Sequence, residues 1–179
     1  MSKTIILDTN VYGELLLEKE SKEIIKKIIQ DKQIHICGIE IIEKELKETP
    51  REINYQDQVL KEAVLSIYES LIQENLKLSP LAEHLAKGYY KEFDRLRNSG
   101  RHKLLSKKIK KYTEENLKID FQIIAIASIK NIDIVVSTDK RTMLSEIAEE
   151  TYCKVNEING LQTPKLVKYS EFIGRYRNG

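Results

Sequence analysis

Acidic side chains follow two apolar, strand-like runs of the chain at the point where each run ends. Asp8 comes directly after residues 5–7, and Asp139 follows the run IDIVVS, residues 132–137, with one residue between them. Ligands of parallel α/β sheets bind outside the carboxyl ends of the strands, so the two carboxylates would meet at a binding edge. Each aspartate alone is explained equally well as the N-cap of the helix that follows it. The pair therefore predicts either two helix caps or a site that presents acids to a metal ion or a substrate.

A third acid, Asp120, lies where a charged side chain is not expected. It belongs to the segment IDFQIIAIASIK, residues 119–130, and we expect it in the first turn of a buried helix. Ile124 and Ala127 share its helical face, so Asp120 continues an apolar stripe that should face the sheet. A carboxylate that points into a core is costly unless it is paired or bound to a cation. Its position therefore favours a functional role.

The segment IEIIEKELKE, residues 39–48, has helical periodicity and supplies candidates for a fourth acid. Ile42 and Leu46 mark its buried stripe, and Glu43 and Glu45 lie at the two edges of that stripe. Periodicity does not choose between these two glutamates. Three or four carboxylates without supporting histidines or cysteines match the oxygen ligands that Mg²⁺ and Mn²⁺ prefer. Such a site activates water for attack on a phosphodiester.

The elements that would position these acids alternate between strand and helix at both ends of the chain, which predicts a parallel α/β sheet. Strands are predicted at residues 3–7, 33–37, 132–137 and 152–155, with a short edge strand at 165–167. Between residues 54 and 118 the strand signals vanish, and three helical stretches follow. We therefore expect a single domain, residues 1–179, with residues 54–118 as a helical insertion.

Composition is that of an ordered globular protein, because 41% of the 179 residues are apolar and the formal net charge is only +2. A net charge this small indicates no class of partner. No stretch approaches the ~20 apolar residues that span a bilayer, so we expect a cytoplasmic protein without a membrane span. Cys37 and Cys153 each lie in an apolar, strand-like run. They are interpreted as two buried thiols, and two cysteines alone make no zinc site.

Three segments, taken together and in order, resemble the PIN-domain family of metal-dependent ribonucleases, whose best-known members are toxins of VapBC-type toxin–antitoxin pairs. They are ILDTN at residues 6–10, IEKELKETP at 42–50 and IDFQIIAIASIKNIDIVVSTD at 119–139. The first resembles the opening strand and first acid of the family. The second resembles the block in which an acid precedes Leu. The last resembles the blocks in which an Asp opens a helix and another Asp follows the next strand.

The resemblance implies a three-layer α/β/α fold with a central parallel sheet and an endoribonuclease that uses Mg²⁺ or Mn²⁺. The acids that it implies for catalysis and metal binding are Asp8, Glu45, Asp120 and Asp139. Glu45 is chosen over Glu43 because Leu46 follows it, as in the family's second block. Asn10 and Thr138 match the family's supporting polar residues, with Thr138 expected to orient a carboxylate. RNA as the substrate, an antitoxin protein and a second copy of the chain are the partners implied.

The segment RHKLLSKKIKK, residues 101–111, holds six Lys or Arg residues and no acid. Four of its lysines share roughly one side of a helix: Lys103, Lys107, Lys110 and Lys111. One interpretation is a solvated helix face, the commonest use of such runs. The other is a surface that contacts RNA phosphates beside the acidic site, where basic flanks would offset the repulsion between the acids and the substrate.

Two other functions are consistent with parts of the sequence. The first is a PIN-like module that binds RNA or a protein partner without cleaving RNA, for which two aspartate caps and a basic patch suffice. The second is a phosphohydrolase with an aspartate nucleophile after the first strand. Enzymes of the haloacid-dehalogenase type need a second Asp two residues after the first, and Asn10 occupies that position here.

Overall fold

Strands and helices alternate along the chain, which the computed structural model describes at residues 2–48, 54–55, 58–99 and 112–177. The strands are β1 (Lys3–Leu7), β2 (Ile34–Ile39), β3 (Asn54–Tyr55), β4 (Gln58–Val59), β5 (Glu74–Leu76), β6 (Ile134–Ser137) and β7 (Lys165–Lys168). The helices are α1 (Thr9–Leu17), α2 (Ser21–Gln30), α3 (Glu40–Glu48), α4 (Leu60–Leu71), α5 (Pro80–Asn98), α6 (Glu114–Ile129), α7 (Glu146–Ile158) and α8 (Tyr169–Arg177).

Five strands form one parallel sheet in the order β5-β2-β1-β6-β7, and β3 and β4 form a separate antiparallel pair. The central strand β1 ends in the buried run Ile5, Ile6 and Leu7, which is typical of a strand covered on both faces. The chain builds outward from β1 through β2 to β5, and later returns to place β6 and β7 on the other side. The strand order therefore reverses between β1 and β6, where α/β sheets bind ligands.

Two groups of helices cover the sheet. Helices α1, α2, α3, α4 and α8 contact one another, while α5, α6 and α7 form the second group. In the second group, α6 is buried on every side from residue 121 to residue 128. The edge-on aromatic contacts among Tyr89, Phe93, Phe121 and Tyr152 join its three helices. The predicted three-layer α/β/α fold with a central parallel sheet is therefore confirmed.

The described residues between 54 and 118 are mostly helical, as predicted, but the expectation that this region lacks strands is wrong. Glu74–Leu76 forms β5, which pairs with β2 at the edge of the main sheet, and β3 and β4 also fall in this range. A strand of three residues with two exposed side chains is too short to give a period-two signal. The helical region is thus connected to the sheet through β5.

The strand predicted at residues 152–155 is wrong, because these residues belong to α7. Buried side chains recur there at helical spacing, and a four-residue window is too short to separate the two periods. Cys153 is consequently exposed, contrary to the prediction, whereas Cys37 is buried as predicted, and neither forms a disulfide. Among the described helices, none combines the length and apolar character needed to cross a bilayer.

Gly38 of β2 lies close to Tyr68 of α4, so a substitution at Gly38 tests the packing at the β2–β5 edge of the sheet. A Cβ at this residue would lie 2.3 Å from the hydroxyl oxygen of Tyr68. Tyr68 cannot move cheaply, because its hydroxyl donates to the carbonyl of Ile39 at 3.2 Å and contacts Asn75 Oδ1 at 3.0 Å. We therefore expect Gly38→Ala to lower the free energy of unfolding by about 1–3 kcal/mol, the usual cost of overpacking.

The matched control is Gly13→Ala in α1, where nothing lies within 4 Å of the added Cβ. This variant should gain roughly 0.5–1 kcal/mol, because alanine replaces a helical glycine. Urea unfolding of both variants measures the difference. Equal stability of the two variants would show that Tyr68 does not hold β2 closely.

Candidate active site

Asp8 is placed by the pairing of β1 with β6. Leu7 lies opposite Val136, and the backbone N–H of Asp8 donates to the carbonyl of Val136 at 2.9 Å. The next residues, Asp8 and Ser137, are therefore neighbours, and Ser137 Oγ donates to Asp8 Oδ2 at 2.7 Å. Asp8 Oδ1 accepts from the N–H of Thr9 at 2.8 Å, as the N-cap of α1. Asp8 is thus a helix cap and a member of the site, with one oxygen for each contact.

Asp120 and Asp139 are brought together by Thr142, in the turn that precedes α7. Thr142 Oγ1 contacts Asp120 Oδ2 at 2.5 Å, and it also contacts Asp139 Oδ2. A hydroxyl has one proton to donate, so it can satisfy only one of two ionised carboxylates. Asp139 Oδ1 accepts from the N–H groups of Arg141 and Thr142 at 2.7 and 3.0 Å. The Asp139 N–H donates to Ser137 Oγ at 3.0 Å, which links this pair to Asp8.

The structure separates the two candidate glutamates of α3. Glu45 Oε2 accepts a hydrogen bond from the hydroxyl of Thr9, the residue that follows Asp8. Glu43 instead forms a salt bridge with Lys47 and accepts from Asn75 Nδ2 at 2.7 Å. Glu45 therefore lies beside the aspartates, and Glu43 is occupied elsewhere.

Burial and the repulsion between the acids strongly raise the pKa values of Asp8 and Asp120. Burial raises the pKa of Asp8 to about 6, although Ser137 and the Thr9 N–H hold it lower than burial alone would. Burial likewise raises the pKa of Asp120 to about 7, against the lowering effect of Thr142. The charges of neighbouring acids add to both shifts. Among the described residues, no Lys or Arg forms a salt bridge with any of the four acids, so their charges are uncompensated there.

Two buried tyrosine hydroxyls lie near this cluster. Tyr12 and Tyr152 are fully buried, and neither hydroxyl has a hydrogen-bond partner among the described residues. Desolvation first, and then the nearby charges of Asp120 and other acids, raises the pKa of Tyr152 well above its usual value. Desolvation, Tyr68 and Asp8 do the same for Tyr12. A buried hydroxyl without a partner is costly, so either group would be stabilised by a polar partner beside the acids.

The donor set fits a hard divalent cation. Every candidate ligand is a carboxylate oxygen, which matches Mg²⁺ and Mn²⁺. In the described part of the chain, no three of these four acids have carboxylate oxygens that all lie within 4.8 Å of one another. Mg²⁺ binds its direct ligands at about 2.0–2.1 Å and keeps several waters, so a single ion here would contact at most two of these carboxylates directly and the others through waters.

The structure differs from the sequence predictions at the supporting residues. Asn10 is exposed, and neither its side chain nor that of Thr138 has a hydrogen bond to the four acids among the described contacts. Ser137 and Thr142 make those contacts instead. Asp120 lies in the second turn of α6, because that helix begins at Glu114 and its N-cap is Thr113. The partial positive charge at the N-terminus of α6 therefore stabilises the ionised form of Asp120 less than expected.

Ser137 and Thr142 are not identified from the sequence, because the sequence carries only weak signals for them. Ser137 is the one polar side chain of β6, at the tip of that strand. Thr142 follows Asp139 by three residues, the spacing at which an aspartate caps a turn. The predicted RNA-binding lysines, Lys103, Lys107, Lys110 and Lys111, lie outside the described residues and remain a prediction.

The raised pKa values predict how stability depends on pH without divalent cations. Asp8 and Asp120 ionise near pH 4 in the unfolded chain but near about 6 and about 7 in the folded protein. Between these pKa values the folded state binds more protons than the unfolded chain does. The free energy of unfolding should therefore fall as pH rises from about 4 to about 7. Each group contributes at most ~1.4 kcal/mol per pH unit.

Urea unfolding across this pH range in EDTA measures the effect. Asp120→Asn should match the wild type near pH 4 and exceed its stability near pH 8. Glu43→Gln is the control. Lys47 lowers the pKa of Glu43, so removal of the Glu43 carboxylate should not raise the free energy of unfolding near pH 8. An Asp120→Asn profile parallel to that of the wild type would contradict the shift of Asp120.

Comparison with known proteins adds little to this site. No protein-family model matches the sequence, and no curated protein matches it significantly. Among solved structures, the chain is similar to one described as the crystal structure of VapBC2 from Rickettsia felis bound to a DNA fragment from their promoter. The identity is 12%, the match covers 92% of this chain and 98% of that chain, and the TM-score is 0.49. A similarity this low does not inform the chemistry of the site.

Proposed function

We propose that this chain is a metal-dependent endoribonuclease that cleaves RNA phosphodiesters with Mg²⁺ or Mn²⁺. Asp8, Glu45, Asp120 and Asp139 would hold one or two ions, directly or through the waters of the ion. The observation that carries the proposal is that these carboxylates, from four separate elements, gather where the strand order reverses, with no described cationic side chain paired to them. Carboxylates that gather without a cationic partner repel one another, and a bound cation would offset that repulsion.

The bound cation would supply an activated water and would offset the negative charge that develops during phosphodiester hydrolysis. The chain's own residues prepare the ligands. Ser137 and the Thr9 N–H fix the two oxygens of Asp8, and Thr142 fixes one oxygen of Asp120. The hydroxyl of Tyr152 would donate to a water in the same space, which gives a partner to a group that otherwise has none.

The test of catalysis is cleavage of single-stranded RNA with Mn²⁺ and with EDTA. Asp8→Asn and Glu45→Gln should each lose at least ~100-fold activity, because partners that only support metal ligands already cost 10- to 100-fold. The matched control is Glu43→Gln, on the same helix, which should retain activity because Glu43 pairs with Lys47. Equal cleavage by all variants, or cleavage that EDTA leaves unchanged, would overturn the proposal.

Metal binding has a readout that does not require catalysis. Mn²⁺ at 100 times its Kd should stabilise the fold by about 2.7 kcal/mol, which raises Tm by roughly 5–10 °C for a chain of this size. Asp120→Asn should remove most of this gain. Tyr152→Phe should leave the metal-free Tm unchanged or higher, because its hydroxyl has no described partner, while reducing the gain from Mn²⁺.

The alternative is a PIN-like module that binds RNA or protein without catalysis. It is favoured by the capping contacts, since Asp8 caps α1 and Asp139 accepts two backbone N–H groups. These contacts give both aspartates a structural role without a metal. A Tm that Mn²⁺ does not raise at any concentration, together with RNA binding that persists, would select this alternative.

The finer parts of the proposal rest on the sequence. A toxin role, an antitoxin partner and a homodimer come from the resemblance to the PIN-domain family. The basic segment at residues 101–111 would contact RNA phosphates. A small reading frame beside the gene whose product copurifies with this chain would support the toxin role. A protein that is harmless when expressed alone would count against it.

A further inference from the structure

A second cluster of potential metal ligands lies in the sheet and includes none of the four acids. It consists of His35 and Cys37 on β2 and Glu74 on β5, and their ligand atoms all lie within 4.8 Å of one another. Cys37 lies directly opposite Glu74 in the parallel register, and His35 lies two residues before Cys37 on the same face of the strand. The backbone pairing therefore brings a nitrogen, a sulfur and an oxygen donor together.

The cluster is on the face of the sheet opposite α4. Gly38 and Asn75, which alternate with Cys37 and Glu74, face Tyr68 of α4. The cluster contains none of the four acids, and none of its side chains shares a hydrogen bond or a salt bridge with them among the described contacts, so it is a distinct set of ligands. Both sites can be tested independently.

The burial of the three side chains suits an ion that enters from solvent. Cys37 is buried, with 2% of its surface exposed, His35 is half-buried and Glu74 is exposed. None of the three has a hydrogen bond or a salt bridge to another side chain in the described ranges. Their ligand atoms are therefore not committed to one another or to a neighbour, although they lie close together.

We propose that His35, Cys37 and Glu74 form a binding site for Zn²⁺ or a similar transition-metal ion. Imidazole and thiolate ligands select such ions, whereas Mg²⁺ and Mn²⁺ prefer sites made only of oxygen. Three protein ligands leave the fourth tetrahedral position for water or for another molecule. The bound ion would connect the three-residue edge strand β5 to β2, because its ligands come from both strands.

Co²⁺ titration of the full chain tests the site, because a cobalt–thiolate bond gives a charge-transfer absorption that carboxylates do not. The background variant is Asp8→Asn with Asp120→Asn, which removes two ligands of the acidic site. We expect one Co²⁺ per chain with the thiolate band, displaced by Zn²⁺ and retained in excess Mg²⁺. Cys37→Ser should abolish the band, and Cys153→Ser, at the other cysteine, should leave it unchanged.

The other two ligands have their own comparison. His35→Gln and Glu74→Gln should each weaken Co²⁺ binding by at least ~10-fold, the lower bound for loss of a partner that only supports a ligand. His84→Gln, at an exposed histidine of α5, should not change it. Far-ultraviolet circular dichroism checks that each variant folds. Glu74 is exposed, so Glu74→Gln should fold even if Cys37→Ser does not. The Co²⁺ affinity of Glu74→Gln then tests the site.

Alkylation of Cys37 gives a second readout in Cys153→Ser, where Cys37 is the one remaining thiol. Zn²⁺ should slow its reaction with iodoacetamide by at least ~10-fold, and Glu74→Gln should remove most of that protection. The proposal is overturned if no thiolate band forms, if the band survives Cys37→Ser, or if Zn²⁺ leaves the alkylation rate unchanged.

Discussion

The parallel pairing of β1 with β6 is the interaction on which the site depends. The hydrogen bond from the Asp8 N–H to the Val136 carbonyl continues the register past the last residue of β1. It fixes Asp8 beside Ser137, and Ser137 in turn receives the N–H of Asp139. Slipping this register by one residue would turn Asp8 to the other face of the sheet and away from α6. The geometry of the acids is therefore a property of the sheet.

Hydroxyl groups hold the carboxylates without neutralising them. Thr9 contacts Glu45, Ser137 contacts Asp8, and Thr142 contacts Asp120. A lysine or arginine in these places would form a stable ion pair and would compete with a cation for the same oxygens. Hydroxyls fix orientation and leave the negative charge in place. In the metal-binding role proposed above, repulsion between the ionised acids would favour the binding of a cation.

Much of this arrangement could be predicted from local sequence, and the rest could not for identifiable reasons. Asp8 and Asp139 are visible because an acid after an apolar strand is a local signal, and Asp120 is visible because it interrupts an apolar helical stripe. Glu45 could not be chosen over Glu43 by periodicity, since the two lie at opposite edges of one stripe. The structure separates them through Thr9 on a different element.

The residues and elements that the sequence analysis missed depend on non-local pairing. Ser137 matters only because β6 is the neighbour of β1, and a single sequence does not state which strands are neighbours. The β5 strand is too short to show a period, and it exists because β2 offers an edge to pair with. The cluster of His35 and Cys37 with Glu74 was missed for the same reason, because the two strands are far apart in the chain.

The raised pKa of Asp120 means that, in the proposed metal-binding role, protons and cations would compete for the acidic site. With a value of about 7, this carboxyl group holds its proton for a substantial fraction of the time at neutral pH. A cation that binds there must displace that proton into the solvent. The heat of binding measured by calorimetry would therefore change with the ionisation enthalpy of the buffer. In that role, a modest acidification would release the cation even where the metal concentration stays constant.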